Sequence, residues 1–199
     1  MARTTADSKA LVVFDLDDTL IDTRHALLPD ALRRTAAAAG LPVERLDAKG
    51  KTIDEVLAGA DLPADRREAA AAAWYAPEVP PLAPLPGARE VLGALRGRVH
   101  LVLLTRGRPE RQRNKIAACG LGPLFDAVVI RPIGEPGSKR DDLEALIERH
   151  ALPPGRCAVI GDDERDELAH ALALGCLAVK VPDVALAAIP PLLRDAGLL

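Results

Sequence analysis

Aromatic side chains are almost absent from this chain: Phe14, Trp74, Tyr75 and Phe125 are the only four in 199 residues. Its core must therefore be aliphatic, and the stacking platforms by which proteins hold single-stranded nucleic acid are missing. Positive charge is not in surplus either. With a formal net charge of -3, the chain as a whole offers no electrostatic attraction to a polyanion. No apolar run approaches the length of a membrane-spanning helix, and the polar opening MARTTADSKA lacks the hydrophobic stretch of a secretory signal. The expectations are no nucleic acid, no membrane and a cytoplasmic location. Cysteine is scarce: Cys119, Cys157 and Cys176 are odd in number, widely spaced and without a C-x-x-C pair. That excludes a disulfide framework and a zinc site, and leaves them as small core residues. His25, His100, His150 and His170 are scattered and keep no metal-ligand spacing.

What is present suits a globular protein, with 49% apolar and 28% charged residues. The length fits one core carrying a modest insertion. Lys9 to Leu16 contains ALVVF closed by Asp15, a short β-branched run of the kind that forms buried parallel strands. Similar runs recur at Val99 to Leu104, Ala127 to Ile130, Cys157 to Ile160 and Cys176 to Val181. Helical patterns begin near Gly87, ahead of the second run, and near Pro109, Lys139 and Asp163, between the later ones; in the third, Leu143, Leu146, Ile147 and His150 share a face. This alternation predicts an α/β fold with a doubly wound parallel sheet.

The first two strands are separated by about eighty residues, far more than a crossover needs. The intervening sequence is rich in Ala, Leu and Arg, and its pattern predicts helices over 24–39, 43–48, 52–58 and 64–75. It closes in PEVPPLAPLPG, whose five prolines between Pro77 and Pro86 can neither continue a helix nor enter a central strand. The expected division is a core of residues 1–22 and 85–199, with a helical insertion and hinge over 23–84.

The chemistry concentrates at predicted strand ends. FDLDDTL places Asp15 where the first strand meets its loop and Asp17 two residues on, at the edge where open α/β sheets bind ligands. Alone, such a pair equally fits an ordinary turn. Three further features join it. LVLLTRG ends the second strand at Thr105, whose hydroxyl can hold an anionic oxygen; alone it reads as a helix cap. GSK puts Lys139 at the start of a helix, in a chain whose basic residues are overwhelmingly arginine. VIGDDERDE supplies Asp162, Asp163, Asp166 and Glu167 after the fourth strand, a cluster that also suits an acid-rich helix start. Three carboxylates within about 4 Å repel by roughly 1 kcal/mol per pair in water and about 4 at an effective dielectric of 20. A cation is called for, and oxygen donors without sulfur or imidazole favour Mg²⁺.

In this order and over nearly the whole length, Asp15-x-Asp17-x-Thr19, Thr105, Lys139 and Gly161-Asp162 with a further acid resemble the four motifs of the haloacid dehalogenase-like (HAD) hydrolases. The helical insertion falls where that family often carries a cap. The resemblance implies a Rossmann-like HAD core and, because true dehalogenases of the family lack the second aspartate, phosphate chemistry. By the same resemblance Asp15 is the nucleophile that forms an aspartyl-phosphate, and Asp17 the proton shuttle. Thr105, Arg106 and Lys139 bind the phosphoryl group. Mg²⁺ is held by Asp15, the backbone carbonyl of Asp17 and Asp162, with Asp163, Asp166 and Glu167 behind them. Asp166 fits the shorter family spacing and Glu167 the longer, and Arg106-Gly107 stands where the family more usually has asparagine after the threonine. The implied activity is Mg-dependent hydrolysis of a small phosphorylated metabolite by a monomer or homodimer. A phosphomutase using the same residues and a non-catalytic phospho-acceptor or binding protein are the alternatives. The insertion is expected to act as a cap that supplies selectivity, with Arg24, Arg33, Arg34, Arg66, Arg67, Trp74 and Tyr75 as candidate substrate contacts.

Overall fold

Strand β1, Leu11–Phe14, is buried at all four positions, as a strand covered on both faces must be. The computed structural model describes residues 9–46 and 52–199. In it β1 is the middle strand of a five-stranded sheet, paired in parallel with β2 (His100–Gly107) on one side and β4 (Cys157–Gly161) on the other. Strand β3 (Ala127–Pro132) lies outside β2, and β5 (Leu177–Lys180) outside β4. The order β3-β2-β1-β4-β5 means that the chain winds outward from β1 in one direction, then crosses back to wind outward in the other. The reversal lies between β1 and β4, with Phe14 level with both Leu103 and Ile160. Ligand sites form beyond the carboxyl ends of strands at such a reversal.

The connecting helices are α5 (Ala88–Leu95), α6 (Pro109–Cys119), α7 (Lys139–Arg149) and α8 (Glu167–Leu174). Leu143, Leu146 and Ile147 of α7 pack with Leu11, Val13, Val102, Leu104 and Val159 of the sheet. Each such aliphatic side chain contributes roughly 1.5–3 kcal/mol on full burial. Cys119, Cys157 and Cys176 are buried and unbridged, as core residues. His150 is the C-cap residue of α7, half-buried, with its ring 4.2 Å from that of His100.

Several boundaries differ from the sequence reading. Strands β2 and β3 run on to Gly107 and Pro132, because their hydrogen-bonded pairing continues past the apolar run. Helix α8 begins at Glu167 rather than near Asp163; the Asp163 carboxylate accepts from the amide of Arg165 at 2.8 Å, which holds the preceding residues in a turn. A last helix, α9 (Ile189–Asp195), was not foreseen. Its opening prolines, Pro190 and Pro191, sit in its first turn, where a missing amide costs nothing.

The chain divides into two compact units, Thr23–Pro80 and the flanking Met1–Asp22 with Pro81–Leu199. On its return the chain is tied to the first loop by the antiparallel bridge between Ile21 and Pro84 and by the amide of Leu85 donating to Leu20 at 2.8 Å. The inserted unit holds α1 (Thr23–Ala26), α2 (Leu28–Ala39), α3 (Ile53–Gly59) and α4 (Ala64–Trp74) around Ala36, Ala39, Leu46, Ile53, Leu57, Leu62 and Ala70. The helix expected over 24–39 is interrupted at Leu27, since Pro29 in the first turn of α2 cannot continue a preceding helix. Val43–Leu46 is a 3₁₀ turn, and the remainder of the stretch expected over 43–48 lies outside the described residues. Among the described residues no helix is long and apolar enough to cross a membrane.

Candidate active site

Four loops at the carboxyl edge of the sheet build one cleft of about 200 Å³ lined by Asp15, Asp17, Asp18, Thr105, Arg106, Lys139, Asp162, Asp163, Asp166 and Glu167. The catalytic, phosphate-binding and metal candidates read from the sequence are all brought together there. Asp15 continues β1, its amide donating to Ile160 at 2.9 Å, while Leu16 is buried. Asp18 then takes a left-handed conformation with φ 54°, which short polar side chains tolerate best. The amides of Leu20 and Ile21 return to the carbonyl of Leu16 at 2.9 and 3.2 Å. This tight turn fixes the direction in which Asp17 leaves the chain.

Lys139 is the first residue of α7, and the loop before it is pinned from several sides. Gly137 has φ 104°, and a Cβ on it would lie 2.8 Å from Nη1 of Arg131, so glycine is required there. Arg131 pairs with Asp142 through both its Nε, at 2.7 Å, and its Nη2, and donates to the carbonyl of Pro136 at 3.1 Å. The amide and hydroxyl of Ser138 donate to Oδ2 of Asp141 at 2.6 and 3.2 Å, a capping interaction that starts the helix. From this anchored position Nζ of Lys139 reaches Oδ1 of Asp15 and Oε2 of Glu167, each at 2.8 Å, with Asp166 at 3.7 Å.

Asp166 and Glu167, between which the sequence leaves the choice open, stand in different surroundings. Glu167 is buried against Gly161, where a Cβ would stand 2.2 Å from Oε1; glycine at 161 is what admits the carboxylate. Its Oε1 also accepts from the amide of Asp163 at 2.9 Å. Asp166 instead faces His170 at 3.3 Å. Carboxylate oxygens of Asp15, Asp162 and Glu167 lie within 4.8 Å of one another.

The electrostatics follow from this crowding. Burial, together with the charges of Glu167 and Asp17, raises the Asp15 carboxyl from 3.8 to about 7, with Lys139 acting in the opposite sense. Asp162 rises to about 6, through burial first and then Glu167 and Asp18. Burial works against the Lys139 ammonium, yet Asp15 and Glu167 more than offset it and its pKa moves up. The cluster is thus a strongly anionic pocket around one fixed ammonium, and a hard divalent cation among Asp15, Asp162 and Glu167 fits its oxygen donors.

Two buried residues in the neighbourhood were missed from sequence. Lys115 of α6 places Nζ 2.8 and 2.9 Å from the two carboxylate oxygens of Asp17. Gln112, one turn earlier, donates to Oδ2 of Asp17 at 3.0 Å and to Oγ1 of Thr105 at 2.6 Å. In PERQRNK nothing sets them apart from the charged residues around them. Within the inserted unit, Arg33 and Arg34 both pair with Asp30 at 3.3 Å, Arg67 donates to the carbonyl of Leu62 at 3.1 Å, and the Tyr75 hydroxyl donates to Asp54 at 2.7 Å. Trp74 packs on that unit's core, Arg66 lies over Gly40, and Arg24 is exposed on α1.

Comparison with known proteins agrees with this architecture. Curated N-acylneuraminate-9-phosphatase from Homo sapiens is 32% identical over 93 residues, covering 44% of this chain and 36% of that protein. The match thus spans about a third of the length of that relative. A haloacid dehalogenase-like family hydrolase from Xanthomonas campestris superposes with a TM-score of 0.67 at 22% identity, over 98% of this chain and 97% of that one. A HAD-superfamily hydrolase of subfamily IA, variant 1, from Geobacter sulfurreducens gives 0.66 at 25% identity over 86% of each chain. A family model described as haloacid dehalogenase-like hydrolase matches residues 9–173, and the chain belongs to that family.

Proposed function

We propose that the chain is a phosphoric monoester hydrolase that acts on a small phosphorylated metabolite through an aspartyl-phosphate on Asp15, with Mg²⁺ as its cofactor. The observation that carries this reading is the buried Asp15–Lys139–Glu167 constellation at 2.8 Å contacts, beside the hydroxyl of Thr105 at a sheet reversal. Mg²⁺ would be held by Asp15, Asp162 and the carbonyl of Asp17, with Glu167 alongside, and would supply charge neutralisation for the nucleophile and the phosphoryl oxygens. Ionised Asp15 attacks phosphorus in line, and the P–O bond to the leaving alcohol breaks as the Asp15–phosphorus bond forms. Lys139 and Thr105 hold the phosphoryl oxygens, and Arg106 faces the cleft from the end of β2. Asp17, once it has taken up a proton, gives it to the departing oxygen and later takes one from the water that hydrolyses the acyl phosphate. The helical unit Thr23–Pro80 is the proposed source of leaving-group selectivity. The test is phosphate release from a panel of phosphorylated metabolites, with Mg²⁺ and with chelator. Release that requires Mg²⁺ is expected; silence of the folded protein across the panel would overturn the reading.

The cation should also be visible in stability. Folded Asp15 and Asp162 bind protons up to about pH 7 and 6, against 3.8 for an ordinary carboxyl. Between pH 3.8 and 7 the folded state therefore holds more protons from these groups than the unfolded chain, and they make the metal-free protein less stable as pH rises through that window. Mg²⁺ must displace those protons. At about 100 times its Kd it is expected to raise the unfolding temperature by roughly 5–10 °C at pH 8. The shift should shrink through pH 7 to 6 and be lost near pH 5. In the same titration at pH 8, Glu167→Gln is expected to weaken Mg²⁺ binding by about 10-fold or more and Asp166→Asn far less.

A further inference from the structure

Helix α6 presents two side chains to the site that the proposed chemistry does not use. Lys115 and Gln112 are three residues apart, on one face of the helix, and both are buried. An ammonium brought out of water needs a compensating charge, and Lys115 finds it in both oxygens of Asp17, at 2.8 and 2.9 Å.

Gln112 completes the arrangement. The carboxylate of Asp17 and the carbonyl of Arg106, 3.0 and 3.3 Å away, can only accept, so the amide must turn its NH₂ toward them. From that orientation Nε2 also donates to Oγ1 of Thr105 at 2.6 Å, which leaves the threonine hydroxyl hydrogen to point elsewhere, toward an anionic oxygen. Gly107 gives the glutamine its path: a Cβ there would stand 2.8 Å from Cγ and Cδ of Gln112. One helix thus fixes the side chain that follows β1 and the hydroxyl that lies on β2.

We infer that Lys115 and Gln112 are positioning residues that clamp Asp17 in the place from which it transfers protons. The inference rests on the reading of Asp17 as the proton shuttle. Neither residue is assigned a contact with the phosphoryl group; Lys115 acts through Asp17, and Gln112 through Asp17 and the Thr105 hydroxyl. Proton transfer by a placed side chain is worth about 10²–10⁴-fold, and a misplacement of about 1 Å can cost about 10²-fold. A loosened Asp17 therefore penalises steps that need its proton and spares those that do not. Departure of an alkoxide needs it. Departure of 2,4-dinitrophenolate, already stable as an anion, does not.

The experiment compares the parent with Lys115→Met, Lys115→Arg, Gln112→Leu and Asp17→Asn, in Mg²⁺. Two quantities are read: steady-state turnover of a primary alkyl phosphate, and the pre-steady-state burst of dinitrophenolate from 2,4-dinitrophenyl phosphate. Thermal unfolding is followed on every variant. Lys115→Met is expected to lower kcat for the alkyl ester by roughly 10–100-fold with KM and the burst rate little changed, and Gln112→Leu, which also releases the Thr105 hydroxyl, to lower alkyl-ester kcat as much and the burst by a clearly smaller factor. Lys115→Arg, which keeps the charge and the donors, should lose less than Lys115→Met. An equal fall in burst and turnover, or no fall in either, in a variant that unfolds at the parent's temperature would overturn the inference. If Lys115→Met does not fold, Gln112→Leu decides. Asp17→Asn separates the two levels. Should it show the split while the α6 variants do not, the clamp fails and the hydrolase reading stands. Should it retain alkyl-ester turnover, the role of Asp17 fails and the clamp with it.

Discussion

Asp15→Asn is expected to lower phosphate release on the order of 10⁴-fold or more, leaving the protein folded. An amide of the same shape has no anionic oxygen to attack phosphorus, so the loss should appear in kcat for every ester, activated or not. The variant should also form no acid-stable phosphoenzyme. Stability should move the other way at alkaline pH. The Asp15 carboxyl is raised to about 7, so above that pH the parent carries a buried charge that its surroundings disfavour, and below 3.8 it carries none. The neutral amide escapes that cost. It gives up the charge-assisted contact with Lys139 at 2.8 Å and relieves repulsion with Glu167. Without metal, the gap in unfolding temperature between variant and parent should shift in favour of the variant as pH rises from 5 to 8. Phosphate release and thermal unfolding on one preparation check both halves; residual activity above about 1% of the parent's would mean that another group attacks.

The same residues show why this site was legible and where the sequence fell short. A buried parallel strand is a short apolar run, and chemistry gathers at its carboxyl end. Asp15, Thr105, Lys139 and Asp162 could therefore be placed at a common edge without coordinates. What strand ends cannot convey is which helix face turns inward. Gln112 and Lys115 lie in a helix with so many charged residues that no apolar stripe marks its buried side, and their burial is decided by a carboxylate 95 and 98 residues earlier in the chain. Asp166 and Glu167 differ by one position, too little for spacing to tell them apart, and it is Glu167 whose carboxylate packs where Gly161 lacks a Cβ. With hindsight the glycines carried the signal: Gly107 opens the way for Gln112, Gly161 for Glu167, and Gly137 for Arg131. A helix opening on prolines, as α9 does, has an apolar pattern too short to outvote them.

Lys139→Met should be the most damaging single change after loss of the nucleophile, because it acts on both chemistry and folding. Methionine can fill much of the space but donates nothing, so the phosphoryl oxygens lose a preorganised cation. Removing one such donor costs about 10²–10³-fold in kcat, and with weaker substrate binding the fall in kcat/KM should reach roughly 10³-fold or more. In the fold, the substitution leaves Asp15 and Glu167, both buried, facing one another without the ammonium that bridges them at 2.8 Å. Breaking a buried pair from one side costs about 3–5 kcal/mol, or roughly 10 °C in unfolding temperature at this chain length. The pH dependence identifies the cause. The Lys139 pKa is raised in the folded state, so its contribution is fully present below the ordinary 10.5 and constant from pH 5 to 9. The variant's deficit should instead grow with pH over that range, as Asp15, raised to about 7 in the parent, loses its proton with no ammonium beside it. Adding Asp15→Asn removes one of the opposed charges. The double variant should then unfold at a higher temperature than the sum of the two single effects predicts, whereas strict additivity at pH 8 would show that the Lys139–Asp15 contact is not what holds this pocket together.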